Sequence, residues 1–304
     1  MYGVLALTIG AVITIMNDVN SQFTALAGSL FAVVGIHVAG LVTISAILLV
    51  RREQSRPGLL PVQYYLGGFV GVGTVFSSTY AFNALGASLA VALALLGQSL
   101  FSLVVDATGF MGRRKYPLTT RTLPGVFLTI SGVVVMAGNW RSDALAMLIG
   151  LSAGVLTGLS FTFNSELGNK KGVFHATLIN YIVGLSTVIL VIAVARPSVQ
   201  SALHSIAAIR AAGASGLFVA LCGGILGVGV VAVINLVFPR IPAFSATLLI
   251  FSGQAMSGVI VDAVSTGAFD VRRVAGTLLV LAGLAANALL ARRGEAPRAA
   301  GPAE

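Results

Sequence analysis

The sequence predicts an all-α membrane protein of ten transmembrane helices, folded as two inverted five-helix repeats. Three observations lead there. Charged residues are scarce, the apolar residues gather into long uninterrupted runs, and the second half of the chain resembles the first.

Of 304 residues, 57% are hydrophobic and 9% charged. A soluble domain carries about 25% charged residues. So few charges cannot clothe a protein in water, and lipid must cover most of the surface. The net charge of +9 does not point to nucleic acid, because Lys and Arg stand in short clusters between apolar runs, where membrane topology places them. Cys222 is the single cysteine, so an internal disulfide is excluded, and no metal or cofactor is expected. The opening residues MYGVLALTIG lack the basic region and cleavage site of a signal peptide and read as a retained first span.

Apolar runs cover about 2–21, 29–50, 63–84, 87–107, 122–140, 144–165, 174–195, 213–238, 243–264 and 274–291. Each is long enough to cross about 30 Å of hydrocarbon as a helix. A membrane strand would alternate polar and apolar residues, and these runs do not. The connections are short, and 196–210 has room for a small interfacial helix. The boundaries expected are 1–140 for the first repeat, 141–291 for the second and 292–304 for a disordered cytoplasmic tail. With ten alternating spans, thirteen of the 18 Lys and Arg fall on the side of the N-terminus, which the positive-inside rule places in the cytoplasm with the C-terminus.

The repeat is ordered along the chain. A shift of 156 lays GGFVGVG (67–73) on GGILGVG (223–229), Gly97-Gln98 on Gly253-Gln254, and Asp106-Ala107 on Asp262-Ala263. Earlier in each half the shift is 144, matching Gly10 with Gly154, Asn20-Ser21 with Asn164-Ser165, and Gly40-Leu41 with Gly184-Leu185. Near the end it is 151, pairing Arg121 with Arg272 and Gly125 with Gly276. Five spans is an odd number, so the second unit must lie upside down relative to the first. Inverted repeats of this kind build many secondary transporters, with the substrate site near the midplane.

These motifs resemble the drug/metabolite transporter (DMT) superfamily, whose fold is EamA-like, and more closely its bacterial YdcZ-type family, here as a tandem fusion of two five-span units. The resemblance rests on the Asn-Ser of spans one and six, the glycine-rich starts of spans three and eight, and the Gly-Gln…Asp of spans four and nine. It implies an inner-membrane carrier, commonly an exporter, and leaves the substrate open.

Several residues are candidates for the transport path. Gln98 and Gln254 lie near the middle of spans four and nine, where an amide is costly without partners. They either line a central cavity or bond a neighbouring helix. Asn17, Asn20, Asn164 and Asn180 add further amides, and Gly10, Thr14, Asn17 and Ser21 share one face of span one. Gly67 and Gly71, like Gly223 and Gly227, are small-xxx-small pairs that suit close helix packing. Neither glycine cluster is a phosphate loop, since no Lys-Ser/Thr follows. Asp18, Glu166 and His37 are the titratable groups that reach furthest into spans, and are the proton-coupling candidates. Asp106 and Asp262 read as span-end anchors or partners of nearby Arg. Phe76, Tyr80, Phe101, Phe161 and Phe163 could wall an apolar pocket or simply pack.

The function expected is secondary transport, by alternating access, of a small neutral or amphipathic metabolite or drug across the bacterial inner membrane, with export the expected direction. A lipid flippase or a non-catalytic assembly subunit is the alternative. An enzyme is not expected, because no nucleophile–base set or ligand cluster stands in the spans. Partners are the small-molecule substrate and the bilayer, with a homodimer left open.

Overall fold

A computed structural model describes residues 2–51, 58–110, 123–137, 143–237 and 243–293. The remaining parts of the connections, and 294–304 of the expected tail, lie outside the described residues. Every described element is helical. In order they are α1 (Tyr2–Ala27), α2 (Ser29–Arg51), a 3-10 turn (Val62–Tyr65), α3 (Gly67–Leu85), α4 (Ala87–Thr108), α5 (Leu123–Ala137), α6 (Ala144–Lys171), α7 (Val173–Ala195), α8 (Val199–Ala211), α9 (Gly213–Val237), α10 (Ala243–Thr266) and α11 (Val271–Arg293). Seven of the helices are long and apolar enough to cross a membrane, and α5 is a shorter apolar helix. α8 (Val199–Ala211) lies in the 196–210 region, where the sequence has room for an interfacial helix.

Two helices run well past the ends of their apolar runs. The first run ends at 21 but α1 continues to Ala27, and the sixth ends at 165 but α6 continues to Lys171. The polar residues that end the runs are satisfied inside the helix: Ser21 Oγ donates to Asp18 O and Thr24 Oγ1 to Asn20 O, both at 2.8 Å. Hydropathy falls there while the helical ladder does not. Asp18 and Glu166 therefore lie deeper within their helices than the last turn. At the other end of the chain, α11 includes Arg292 and Arg293, which the sequence had assigned to the tail.

The surface is apolar and part of the interior is polar. Val42, Leu49, Phe127, Leu148 and Val194 are each at least 65% exposed, while Thr14, Asn20, Thr79, Gln98 and Gln254 are buried. An apolar exterior on this scale needs a lipid solvent. Within the bundle α4 is central and α7 peripheral: 61% of the apolar stretch of α4 is buried, against 17% for α7.

The pairing of helices repeats across the two halves. α1 packs on α9 and α10, and α6 correspondingly packs on α3 and α4. The equivalents α2 and α7 pack on each other, as do α5 and α11. These self-paired helices run in opposite directions. His37 lies on Gly184 and Tyr181 on Gly40, so α2 and α7 are antiparallel. Gly132 abuts Gly276 while Gly283 abuts Gly125, so α5 and α11 are too. Equivalent helices that oppose each other require an inverted arrangement.

The glycines that betrayed the repeat are its closest contacts. A β-carbon on Gly97 would overlap the Leu151 carbonyl, and one on Gly253 the Leu7 carbonyl, its counterpart at the 144 shift. Gly10 and Gly154 likewise abut the carbonyls of Ile250 and Ala94, counterparts at the 156 shift. Without a hydrophobic force between helices in lipid, such close approach supplies the packing energy.

Candidate functional site

α1, α3, α4, α6 and α10 enclose a small cavity lined by Ile13, Asn17, Ser78, Ala81, Phe82, Ala90, Val91, Ala94, Gln98, Ala153, Thr157 and Gln254. Its volume is about 20 Å³, room for roughly one water. Gln98 comes from the first repeat and Gln254 from the second, at equivalent positions, and both are buried. Among the described residues neither side-chain amide has a hydrogen-bond partner, nor does that of Asn17. An unmade hydrogen bond on a buried polar group costs about 1–3 kcal/mol. Amides left open on a cavity are therefore groups for water or ligand to satisfy. Among the described residues neither Gln side chain bonds a neighbouring helix.

Around these amides the framework is fixed. Thr14 Oγ1 donates to the Gln254 carbonyl at 3.0 Å, tying α1 to α10 beside the cavity. Thr157 turns its hydroxyl back to Ala153 O at 2.7 Å. No charged side chain lines the space.

The other candidate amides do not line this cavity. Asn20 is buried at the α1–α9 contact, its amide oxygen in the space a β-carbon on Gly223 would take. Asn164 does the same to Gly67 at the α6–α3 contact. Its Nδ2 donates to Ser160 Oγ at 3.3 Å, and Ser160 Oγ donates to Gly67 O at 3.1 Å. Asn180 sits where α7 meets α3, with its backbone carbonyl against Gly68. The side-chain oxygens of all three are buried without a hydrogen-bond partner among the described residues. A β-carbon on Gly71 would lie 3.6 Å from Ser160 Oγ of α6, and one on Gly227 would meet Tyr181 Oη of α7.

The titratable candidates separate similarly. Asp18 is half-buried next to Asn17, and its Oδ2 accepts from Gln22 Nε2 at 2.8 Å. Glu166 is half-buried on α6 and has no hydrogen bond or ion pair among the described residues. His37 is buried away from the cavity, with Nδ1 donating to Val33 O at 2.8 Å. Its ring meets that of Tyr181 edge-on, centroids 5.9 Å apart. His37 and Tyr181 occupy equivalent positions of the repeat, so the pair sits on the pseudo-twofold axis, a match the 144 shift contained.

Of the internal aromatics, Phe101 and Phe163 pack edge-on around Phe110 rather than on the cavity, and Tyr80 is exposed. Phe82 is the aromatic of the cavity wall. Ser78, Phe82 and Thr157 were not singled out from the sequence, since nothing in an apolar run marks which hydroxyl or ring faces inward.

An inverted-repeat helical bundle with a small cavity between its halves has the architecture of a membrane transporter. A solved crystal structure is similar at a TM-score of 0.60 and 17% identity, covering 97% of this chain and 98% of its own, which establishes the shared fold. No curated protein matches the sequence. The family described as "Putative inner membrane exporter, YdcZ" matches twice, over residues 1–135 and 145–286. The chain belongs to this family, with two family units in tandem, and is a multi-pass inner-membrane protein of an exporter family rather than of an enzyme class.

Proposed function

We propose that the protein is a secondary transporter that exports a small neutral or amphipathic metabolite or drug by alternating access. The observation that carries this reading is the pair of unbonded amides, Gln98 and Gln254, presented by the two repeats to one uncharged cavity. Amides recognise hydrogen-bonding groups without demanding a counter-charge, and the apolar wall suits the rest of such a cargo. At about 20 Å³ the cavity is occluded, and the repeats (1–140 and 141–291) rock apart to admit cargo from either side.

The ten helices other than α8 span the membrane in this reading, both termini are cytoplasmic, and α8 lies on the periplasmic surface. A reporter fused after residue 291 then reads cytoplasmic, and one placed within 196–210 reads periplasmic. Where protons drive the cycle, coupling runs through Asp18, Glu166 or His37, with Asp18 first because it adjoins Asn17 of the cavity. The test is a toxin and metabolite sensitivity screen of cells lacking or overproducing the protein, followed by flux of each hit in everted vesicles. Flux identical to that of empty vesicles for every hit sinks the proposal. Vesicles carrying Asp18→Asn, Glu166→Gln and His37→Gln that all keep full pH-gradient dependence remove these three from the coupling.

A further inference from the structure

On α10, Gln254, Gly258 and Asp262 are spaced by four and share one helix face. All three meet the first turns of α4 or the cavity beside it. Gln254 lines the cavity with Ala90 and Val91. One turn on, Gly258 lies against α4 so closely that its β-carbon would be 3.1 Å from Ser88 Cα. One turn further, the Asp262 carboxylate receives the opening amides of α4: Ala87 N donates to Oδ1 at 2.7 Å and Ser88 N to Oδ2 at 2.8 Å. Arg273 of α11 pairs with the same carboxylate. The N-cap position of α4 is Gly86, which has no side chain to do this itself.

Asp262 is 7% exposed, so its charge needs this full set of partners. The α4 side of the contact belongs to the first repeat, and α10 and α11 belong to the second. It stands one turn beyond the cavity, toward the end of the bundle that carries α8. We propose that Asp262 is a positioning residue of the transport cycle: its grip on the start of α4 closes the cavity at the α8 end, and releasing that grip opens it there. The reading rests on the transport function proposed above, but its test needs no cargo.

The experiment uses the full chain with Cys222→Ser and a reporter cysteine in the cavity wall, Ser78→Cys, in vesicles of both orientations. A membrane-impermeant thiol reagent measures access from each side. Asp262→Asn raises the labelling rate from the α8 side roughly tenfold or more, the factor carried by hydrogen bonds to a charged group, and leaves the rate from the other side unchanged. Arg273→Gln gives a smaller rise on the same side, because the two amide bonds remain. Unchanged labelling in Asp262→Asn overturns the proposal, and so does an equal rise from both sides, which would mean general loosening. Should Asp262→Asn not reach the membrane, a clamp decides: Ser88→Cys with Gly258→Cys, oxidised, suppresses labelling from the α8 side, and reduction restores it. Labelling that ignores the clamp refutes the gate. Flux assays that find no cargo leave these results standing, so failure of the gate and failure of the transport reading are told apart.

Discussion

Replacing Gly97 and Gly253 by alanine tests the packing on which both repeats depend. The β-carbon introduced at Gly97 overlaps the Leu151 carbonyl and stands 3.1 Å from Val155 N, backbone atoms of α6 that no rotamer change can move. At Gly253 it overlaps the Leu7 carbonyl and stands 3.0 Å from Ala11 N of α1. Normal carbon contacts lie at about 3.5–4.0 Å, so each helix pair must part by roughly 1 Å. Overpacking of this kind costs about 1–3 kcal/mol per site. Because the two contacts are equivalents within the repeat, the two losses should be similar, and the double variant should lose about their sum, since the sites lie in different helix pairs. Gly229 is the control: it is exposed, and a β-carbon there meets nothing within 4 Å. Thermal melting in detergent, followed by size-exclusion of the surviving protein, measures all four variants. Gly97→Ala and Gly253→Ala should each melt several degrees below the parent, and Gly229→Ala should match it. A Gly97→Ala protein as stable as Gly229→Ala would refute the argument that close approach at the repeat's glycines holds the bundle.

Gln98→Ala and Gln254→Ala should each lower flux several-fold while leaving the melting temperature near the parent's, because neither amide bonds a neighbouring helix; a fall in stability with normal flux contradicts the cavity role. Thr14→Val removes the one side-chain bond to the Gln254 carbonyl and should cost about 0.6 kcal/mol, the average for such bonds in a membrane bundle, read from denaturation in mixed micelles. Tyr181→Ala should cost more, about 3–5 kcal/mol, since a large buried ring leaves a void beside Gly40 and His37; Tyr181→Phe should lose only the weak bond from Tyr181 Oη to Gly224 O.

The apolar runs and the repeat fixed the architecture in one dimension. An odd number of spans per repeat demanded inversion, and glycines conserved between the halves of one chain marked where helices would touch. The stripe Gln254, Gly258, Asp262 was also readable at a spacing of four, yet its meaning was not, because the acceptor of two α4 amides is identified only when residues 175 positions apart meet. The same limit governed the amides. Asn20 and Asn164 lie on the same chain segments as the cavity candidates and are equally costly in an apolar span. Only the rotation of α1 and α6 at their crossings with α9 and α3 turns them onto Gly223 and Gly67 and leaves Asn17 on the cavity. Sequence determines that a polar side chain stands within a membrane span. Tertiary structure decides whether it lies against a glycine, a helix end or an enclosed space, because helix rotation and crossing are set by many distant contacts together.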